Sequence, residues 1–422
     1  MEGQAGHRPS RRATRGLDAL NFFLADVRDG LGPYLAIYLI AVRGPTQGWN
    51  EATAGAVMTI AGIAGLVAQT PAGALIDRSR NKRAVVIAGA VAVTLSCLAL
   101  PFLGSFAAVA ATQSLAGIAG AIFPPALAAI TLGIIGPKMF SKRIGRNEAF
   151  NHGGNATSAA IAGVTAYFFG PIVVFWLMAA LAALSIGATL MVPGDEIDDD
   201  VASGRDTGKG EDSGEEVSLW RALLTNKLLL LFAVLAALFH LANAAMLTSV
   251  GQLLTHLSGK DNATSLVAVC IVAAQLVMVP VAVTVGHKAD SWGRKPIFLV
   301  AFAILAVRGV LYTLGNSPYW LVGVQCLDGI GAGIYGALFP LVIADLTRGT
   351  GRFNVSQGAV ATAQGLGAAL SASLAGLVIV SAGYTAAFLV LAGIAAAGFA
   401  LYLFAMPETV KRQSDAEVPR KS

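Results

Sequence analysis

Charge is scarce in this chain. Asp, Glu, Lys and Arg make up 13% of its 422 residues, against about 25% in an ordinary soluble domain, which excludes a water-facing globule. Cysteine is scarcer still. Cys97, Cys270 and Cys326 all fall in apolar stretches without metal-ligand spacing, which excludes a disulfide framework and a zinc site. No glycine-rich loop ends in Lys-Ser or Lys-Thr to cradle a nucleotide phosphate, so ATP hydrolysis is not the energy source. No nucleophile stands beside a base, and the chain is read as neither an enzyme nor a cofactor carrier. The ten-residue alternation that a membrane β-barrel requires is missing too.

What is present is apolar: 55% of the residues are hydrophobic. The charges are gathered into short runs, and the stretches between them reach the roughly 20 residues needed to cross a ~30 Å hydrocarbon core as helices. Twelve spans are expected, at 17–40, 52–76, 84–103, 106–135, 147–169, 172–192, 228–254, 263–286, 297–315, 318–344, 356–380 and 384–406. Pro124-Pro125 is a candidate break in the fourth, and Gly170-Pro171 makes a very tight turn between the fifth and sixth. With both termini placed inside, 25 of the 29 Lys and Arg residues fall on the inner side and only Arg43 and Lys260 outside. That asymmetry sets the orientation. The net charge of +5 is therefore assigned to insertion and to an anionic inner leaflet, not to nucleic acid. The basic leader with Arg8, Arg11, Arg12 and Arg15 precedes a segment too long and too charged for a signal peptide, and it is read as entering a retained first span.

The second half repeats the first. Gly73-Ala-Leu-Ile-Asp77-Arg78-Ser-Arg80-Asn81-Lys82-Arg83 returns as Gly286-His-Lys-Ala-Asp290-Ser-Trp-Gly-Arg294-Lys295, each after the second span of its half. Gln113 and Gly117 return as Gln325 and Gly329, and Gly154 and Gly163 as Gly367 and Gly376. The spacing from Gly to Asp to a basic cluster resembles the short cytoplasmic loop of the major facilitator superfamily, although Arg80-Asn81 stands where Gly-Arg is usual. The resemblance covers the whole chain. It implies an all-α membrane protein, twelve transmembrane helices in two pseudo-symmetric six-helix bundles, with substrate bound between them. The expected division is a basic leader (1–16), an N-terminal bundle (17–192), a cytoplasmic linker (193–227), a C-terminal bundle (228–406) and a tail (407–422). The linker's Pro-Gly-Asp-Glu-Ile-Asp-Asp-Asp opening and its Gly, Ser and acidic composition read as a solvated tether.

Candidate functional residues are the polar groups that hydrocarbon should exclude. Asp26 and Asp29 share a face of the first span beside Arg28, and as desolvated carboxylates they are candidates for proton coupling. A closed salt-bridge network with Arg28 is the alternative. In the fifth span, Asn147, Asn151 and Asn155 recur every four residues and Glu148 lies four before His152, a stripe suited either to substrate or to interhelical hydrogen bonding. Glu148, Asn151, His152, Asn155, His240, Asn243, Gln325 and Asp328 form the substrate-binding set. Arg308 and Asp328 lie at similar depth, and pairing would make Asp328 structural. Asp77, Arg78, Lys82, Arg83, Asp290, Arg294 and Lys295 are candidate gating residues, an Asp meeting an opposing helix N-terminus or an Arg across the two halves. The alternative for these is positive-inside anchoring.

The expected function is secondary active transport by alternating access. The chain looks most like bacterial exporters and metabolite permeases: proton-coupled efflux of a drug or metabolite across the bacterial inner membrane, with both termini cytoplasmic. The expected partners are a small-molecule substrate, protons and membrane lipids, with no nucleic acid, and the state is a monomer. The alternatives are a proton-coupled organic-anion permease using Arg28 or Arg308, and a sensor or lipid-handling protein that turns over no solute.

Overall fold

A computed structural model describes residues 9–29, 35, 38–49, 51–169, 172–205, 226–258 and 260–410. All regular structure among them is helical, and besides short π, 3-10 and single-turn pieces its elements are α1 (Arg11–Asp29), α2 (Glu51–Arg78), α3 (Lys82–Leu98), α4 (Phe106–Gly120), α5 (Phe123–Ile135), α6 (Phe140–Phe169), α7 (Val173–Met191), the single turn α8 (Asp199–Ala202), α9 (Lys227–Ser258), α10 (Lys260–Trp292), α11 (Arg294–Leu311), α12 (Pro318–Thr347) and α13 (Phe353–Ala405). Helices are the form in which a chain without water partners satisfies its own backbone. Among the described residues eight helical segments are long and apolar enough to cross a membrane. Charge interrupts others, as Asp18, Asp26 and Arg28 do in α1 and Arg294, Lys295 and Arg308 do in α11. One of the eight, α13, covers two of the expected spans; Gly383 bends it at φ 85°, a left-handed conformation natural only to glycine. The expected break in the fourth span is real. α4 ends at Gly120, and α5 restarts with prolines in its first turn, where their missing N–H costs nothing.

The two charged turns reach the same connection by different means. The second uses Gly293 at φ 92°. The first has no such glycine; Asn81 stays at φ −122° and its side chain accepts the Ala84 N–H at 3.1 Å, capping α3. Asn81→Ala is expected to lower thermal stability in detergent by about 1 kcal/mol, the usual worth of an N-cap.

Side chains gather into two cores. One draws on residues 13–202, with Leu17, Leu24, Phe123 and Phe175 at its centre. The other draws mainly on residues 229–406, with Phe232, Phe239, Phe298, Phe302 and Tyr402, and it also takes in Phe140 and Ile144. Within each half a glycine lets two backbones touch. A Cβ on Gly154 would strike the Phe22 carbonyl of α1, and one on Gly367 would strike the Ala237 carbonyl of α9. Between the halves, α2 packs against α13 and α6 against α10.

The reading of 193–220 as a solvated tether is corrected for its first part. Residues 194–205 are folded. Asp198 Oδ1 accepts the Asp200 and Val201 N–H groups, both at 3.0 Å, to start α8, and Ala202 is fully buried. Composition is a local property, whereas the partners that fold this stretch lie far away in the chain. Lys82 Nζ meets Asp199 Oδ1 at 2.6 Å, and the Asp198 N–H reaches the Gly133 carbonyl at 3.3 Å. Residues 206–225 lie outside the described residues, as do the leader through 8, the Gly170-Pro171 turn and the tail beyond 410.

Candidate functional site

The candidate site lies along the seam between the halves, where glycines set how closely the helices approach. A Cβ on Gly73 of α2 would collide with the Asn354 carbonyl of α13, and one on Gly358 of α13 with the Gln69 carbonyl of α2. At the other crossing, a Cβ on Gly145 of α6 would collide with the Ala282 carbonyl of α10, and one on Gly286 would lie 2.7 Å from the Gly145 Cα. Gly73 and Gly286 are repeat partners, and so are Gly145 and Gly358 at the same offset. The second pair was missed in the sequence; that offset was the signal that could have found it.

Both charged turns lie at this seam. Asp77 closes α2 and accepts the first N–H groups of α13: Val355 N to Oδ2 at 2.8 Å and Asn354 N to Oδ1 at 3.3 Å, with Asn354 Nδ2 adding a bond at 2.7 Å. A carboxylate there satisfies donors that no helix can satisfy internally. Asp290 is held differently. It accepts Arg294 Nη1 at 2.8 Å and a short hydrogen bond from Ser141 Oγ of the other half. Arg294 also reaches Asp345 at 3.1 Å. Lys295 donates to the Leu403 carbonyl at 2.7 Å, and Glu408 accepts the Arg294 and Lys295 N–H groups. Lys82 is buried on Asp199, Arg83 lies against Gly194, and Arg78 has an interaction partner of its own.

The stripe on α6 divides between the two halves. Asn147 turns inward to its own half, donating to Thr131 Oγ1 at 2.8 Å and accepting from Arg143 Nε at 2.8 Å. Arg143 and Arg146 together clamp Asp18 of α1 at 2.7–2.9 Å; this cluster was not among the expected site residues. One turn further along α6, the side chains face the other half. His152 Nδ1 pairs with Gln275 Oε1 of α10 at 2.7 Å, and Glu148 Oε2 lies 3.8 Å from His152 Nε2. Asn151 donates to the same carboxylate oxygen at 3.4 Å. Glu148 faces α12, where a Cβ on Gly336 would come within 3.3 Å of it. His152 Nε2 and Gln69 Oε1 are buried without a hydrogen-bond partner among the described residues. Next to Gly336, Tyr335 donates to Gln364 Oε1 at 3.1 Å and stands edge-on to the His240 ring, 4.6 Å between centroids. Thr70 and Thr362 join α2 to α13 at 3.0 Å.

The remaining substrate candidates assemble elsewhere. Arg308, 2% exposed, makes a short ion pair with Asp328, bonds Asn243 Oδ1 at 2.6 Å and lies against Met246 Sδ. Gln325 Nε2 donates to Asp328 at 3.1 Å and accepts a short bond from Tyr312. Asn243, Gln325 and Asp328 thus form one network around Arg308 inside the second half. Asn155 is half-buried on α6. Asp26 and Arg28 are half-buried in α1, and each has an interaction partner; the Asp29 side chain lies outside the described residues.

A family model for the Major Facilitator Superfamily matches residues 18–290 and 235–422. The chain is 57% identical, over 407 residues and 96% of each protein, to an uncharacterized MFS-type transporter of Mycobacterium tuberculosis, in both of two strains. Among solved structures, the human organic anion transporter MFSD10 (TETRAN) aligns with a TM-score of 0.64 and 18% identity over 93% of this chain and 99% of that one. At that identity the likeness is one of fold.

Proposed function

The chain belongs to the major facilitator superfamily, and on that premise we propose that this membrane transporter couples protons to movement of a small organic compound, with Glu148 and His152 at the coupling centre. One observation carries the reading. His152 bonds Gln275 of the opposite half through Nδ1 while its Nε2 faces Glu148 at 3.8 Å. Both ring nitrogens donate when the imidazole is protonated, but only one does when it is neutral. In the protonated form, His152 donates both to Gln275 and toward Glu148. Proton release withdraws one of those donors, either from Gln275 of the other half or from Glu148 on the same helix, and in the first case it weakens the contact that joins the halves. Proton occupancy and conformation are thereby linked through differential interaction, as alternating access requires. The buried, unpartnered Gln69 oxygen supplies a further polar contact for a solute at the seam. The expected carboxylates of α1 remain alternatives, with Asp26 the one whose side chain is described.

The orientation belongs to the same proposal: the end carrying Asp77, Asp290 and both termini faces the cytoplasm of a bacterial inner membrane, following the Lys and Arg asymmetry. The twelve-span count, the division at 193–227, the monomeric state and export as the direction are parts of this reading too. The organic-anion alternative loses one counter-charge, because Arg308 is already occupied by Asp328 and Asn243.

Purified protein in liposomes tests the coupling. Candidate drugs and organic acids are added across an imposed pH gradient to wild type, Glu148→Gln, His152→Asn and Asp26→Asn. A substrate-triggered pH change reduced at least tenfold in the two α6 variants and retained in Asp26→Asn is expected. Loss in Asp26→Asn alone moves the proton site to α1, and gradient-independent transport in all four leaves a facilitator.

A further inference from the structure

Residues 194–205 cross the seam at the charged end. On the first half, Asp199 is held by the buried Lys82 ammonium at 2.6 Å. Glu196 accepts the Ser10 N–H at 3.0 Å, and Ser203 Oγ lies 3.4 Å from the Asp77 carbonyl. Gly133 of α5 makes room for the turn, since a Cβ there would lie 2.8 Å from the Asp198 carbonyl. On the second half, three successive carbonyls accept hydrogen bonds. Asn354 Nδ2 bonds Ala202 O at 3.1 Å, Phe353 N bonds Ser203 O at 3.2 Å and Gly349 N bonds Gly204 O at 2.8 Å. Gly351 lies against the Arg205 side chain.

The consequence is clearest at the start of α13. Its first three N–H groups are all taken by the other half: Phe353 by Ser203 and Asn354 and Val355 by Asp77. A helix N-terminus with its free donors filled in this way is held, and opening the seam empties them together. The segment continues directly from α7, and the Lys82 ion pair pins it to the first half, so it travels with that half.

We propose that residues 194–205 are a strap that holds the charged end closed and must release α13 and the 347–353 turn in every transport cycle. The Lys82–Asp199 pair keeps the strap on the first half, and the carbonyls of Ala202, Ser203 and Gly204 are the part that lets go. The proposal rests on alternating access, not on which group carries the proton.

The experiment reads conformation without substrate. In full-length protein with Cys97, Cys270 and Cys326 replaced by Ala, Thr70→Cys places one thiol at the seam, where Thr70 is 9% exposed. Its alkylation by a membrane-impermeant maleimide is timed in nanodiscs. Asp199→Lys should speed labelling about three- to tenfold, the range a partly exposed ion pair and its neighbours can shift. The exchange Lys82→Asp with Asp199→Lys should return the rate toward the parent. Gly204→Val, which puts a side chain at φ 80° and 3.1 Å from Phe353 Cβ, should speed labelling at least as much. Unchanged rates in both single variants overturn the strap. If Gly204→Val does not yield folded protein, Asp199→Lys and its charge exchange decide alone, because Asp199 is 37% exposed and tolerates replacement. Failure of proton coupling in liposomes leaves these rates untouched, so the two proposals fail separately.

Discussion

Valine at Gly145 and valine at Gly154 are expected to disable this protein in different ways, although the two glycines lie on one helix nine residues apart. Gly154 packs on the Phe22 carbonyl within the first half. That contact belongs to the core, so a side chain there overpacks it in every conformation, at a cost of about 1–3 kcal/mol. The expected result is a lower thermal midpoint in detergent with loss of folded protein. Gly145 instead faces Ala282 and Gly286 of the other half. A side chain there obstructs only the conformation in which the charged end is closed. The expected result is a normal midpoint, transport near background, and a closed-end population reduced on the order of a hundredfold, equivalent to about 3 kcal/mol of differential interaction. Labelling of Thr70→Cys reads the second outcome and a melting curve the first. A Gly145→Val protein that melts like Gly154→Val would place the seam within the permanent core.

Arg308→Ala should be the most destabilising single change in the second half. The guanidinium is 2% exposed and is shared by Asp328, Asn243 and Met246. Removing it leaves the half-buried Asp328 carboxylate without its cation and Tyr312 and Gln325 bonded to a network with no centre. Breaking such a pair from one side costs about 3–5 kcal/mol, whereas replacing both partners by apolar groups of similar size is often near neutral. Arg308→Met with Asp328→Leu should therefore recover most of the lost stability. The double variant also separates roles. If it transports, the network is scaffold; if stability returns and proton movement does not, Asp328 takes part in coupling. Asp328→Asn alone should be milder than Arg308→Ala, since a neutral amide still accepts from the guanidinium.

How far the site was legible follows the same division between local and long-range causes. The stripe on α6 was visible as spacing, because residues four apart share a helix face. Spacing does not say what that face meets. Two rows lie side by side, so Asn147 reaches Thr131 of its own half while His152, five positions on and about 140° round the helix, reaches Gln275 of the other. The candidates of the second half looked like a cavity lining because polar residues in hydrocarbon call for an explanation. Three of them, Asn243, Gln325 and Asp328, find theirs in Arg308. The seam glycines Gly145 and Gly358 escaped notice among 48 glycines, since small residues are everywhere in membrane helices and only a partner backbone distinguishes a contact from a gap.

The membrane-spanning helical class, the duplicated plan and the family were written in the order of residues alone. Hydrophobic length, charge placement and repeat offset are properties of the chain itself, and the bilayer admits few solutions to them. The pairing across the seam was not. It took the folded protein to set Asp77 on the first amides of α13, to seal Arg308 inside the second half, and to turn an acidic stretch with the composition of a tether into a turn lodged between the halves. Those contacts join residues on different helices, 20 positions apart for Arg308 and Asp328 and more than a hundred for Lys82 and Asp199 or Asp77 and Val355. Their energies arise only when packing removes water from both partners together, and no local run of sequence records that.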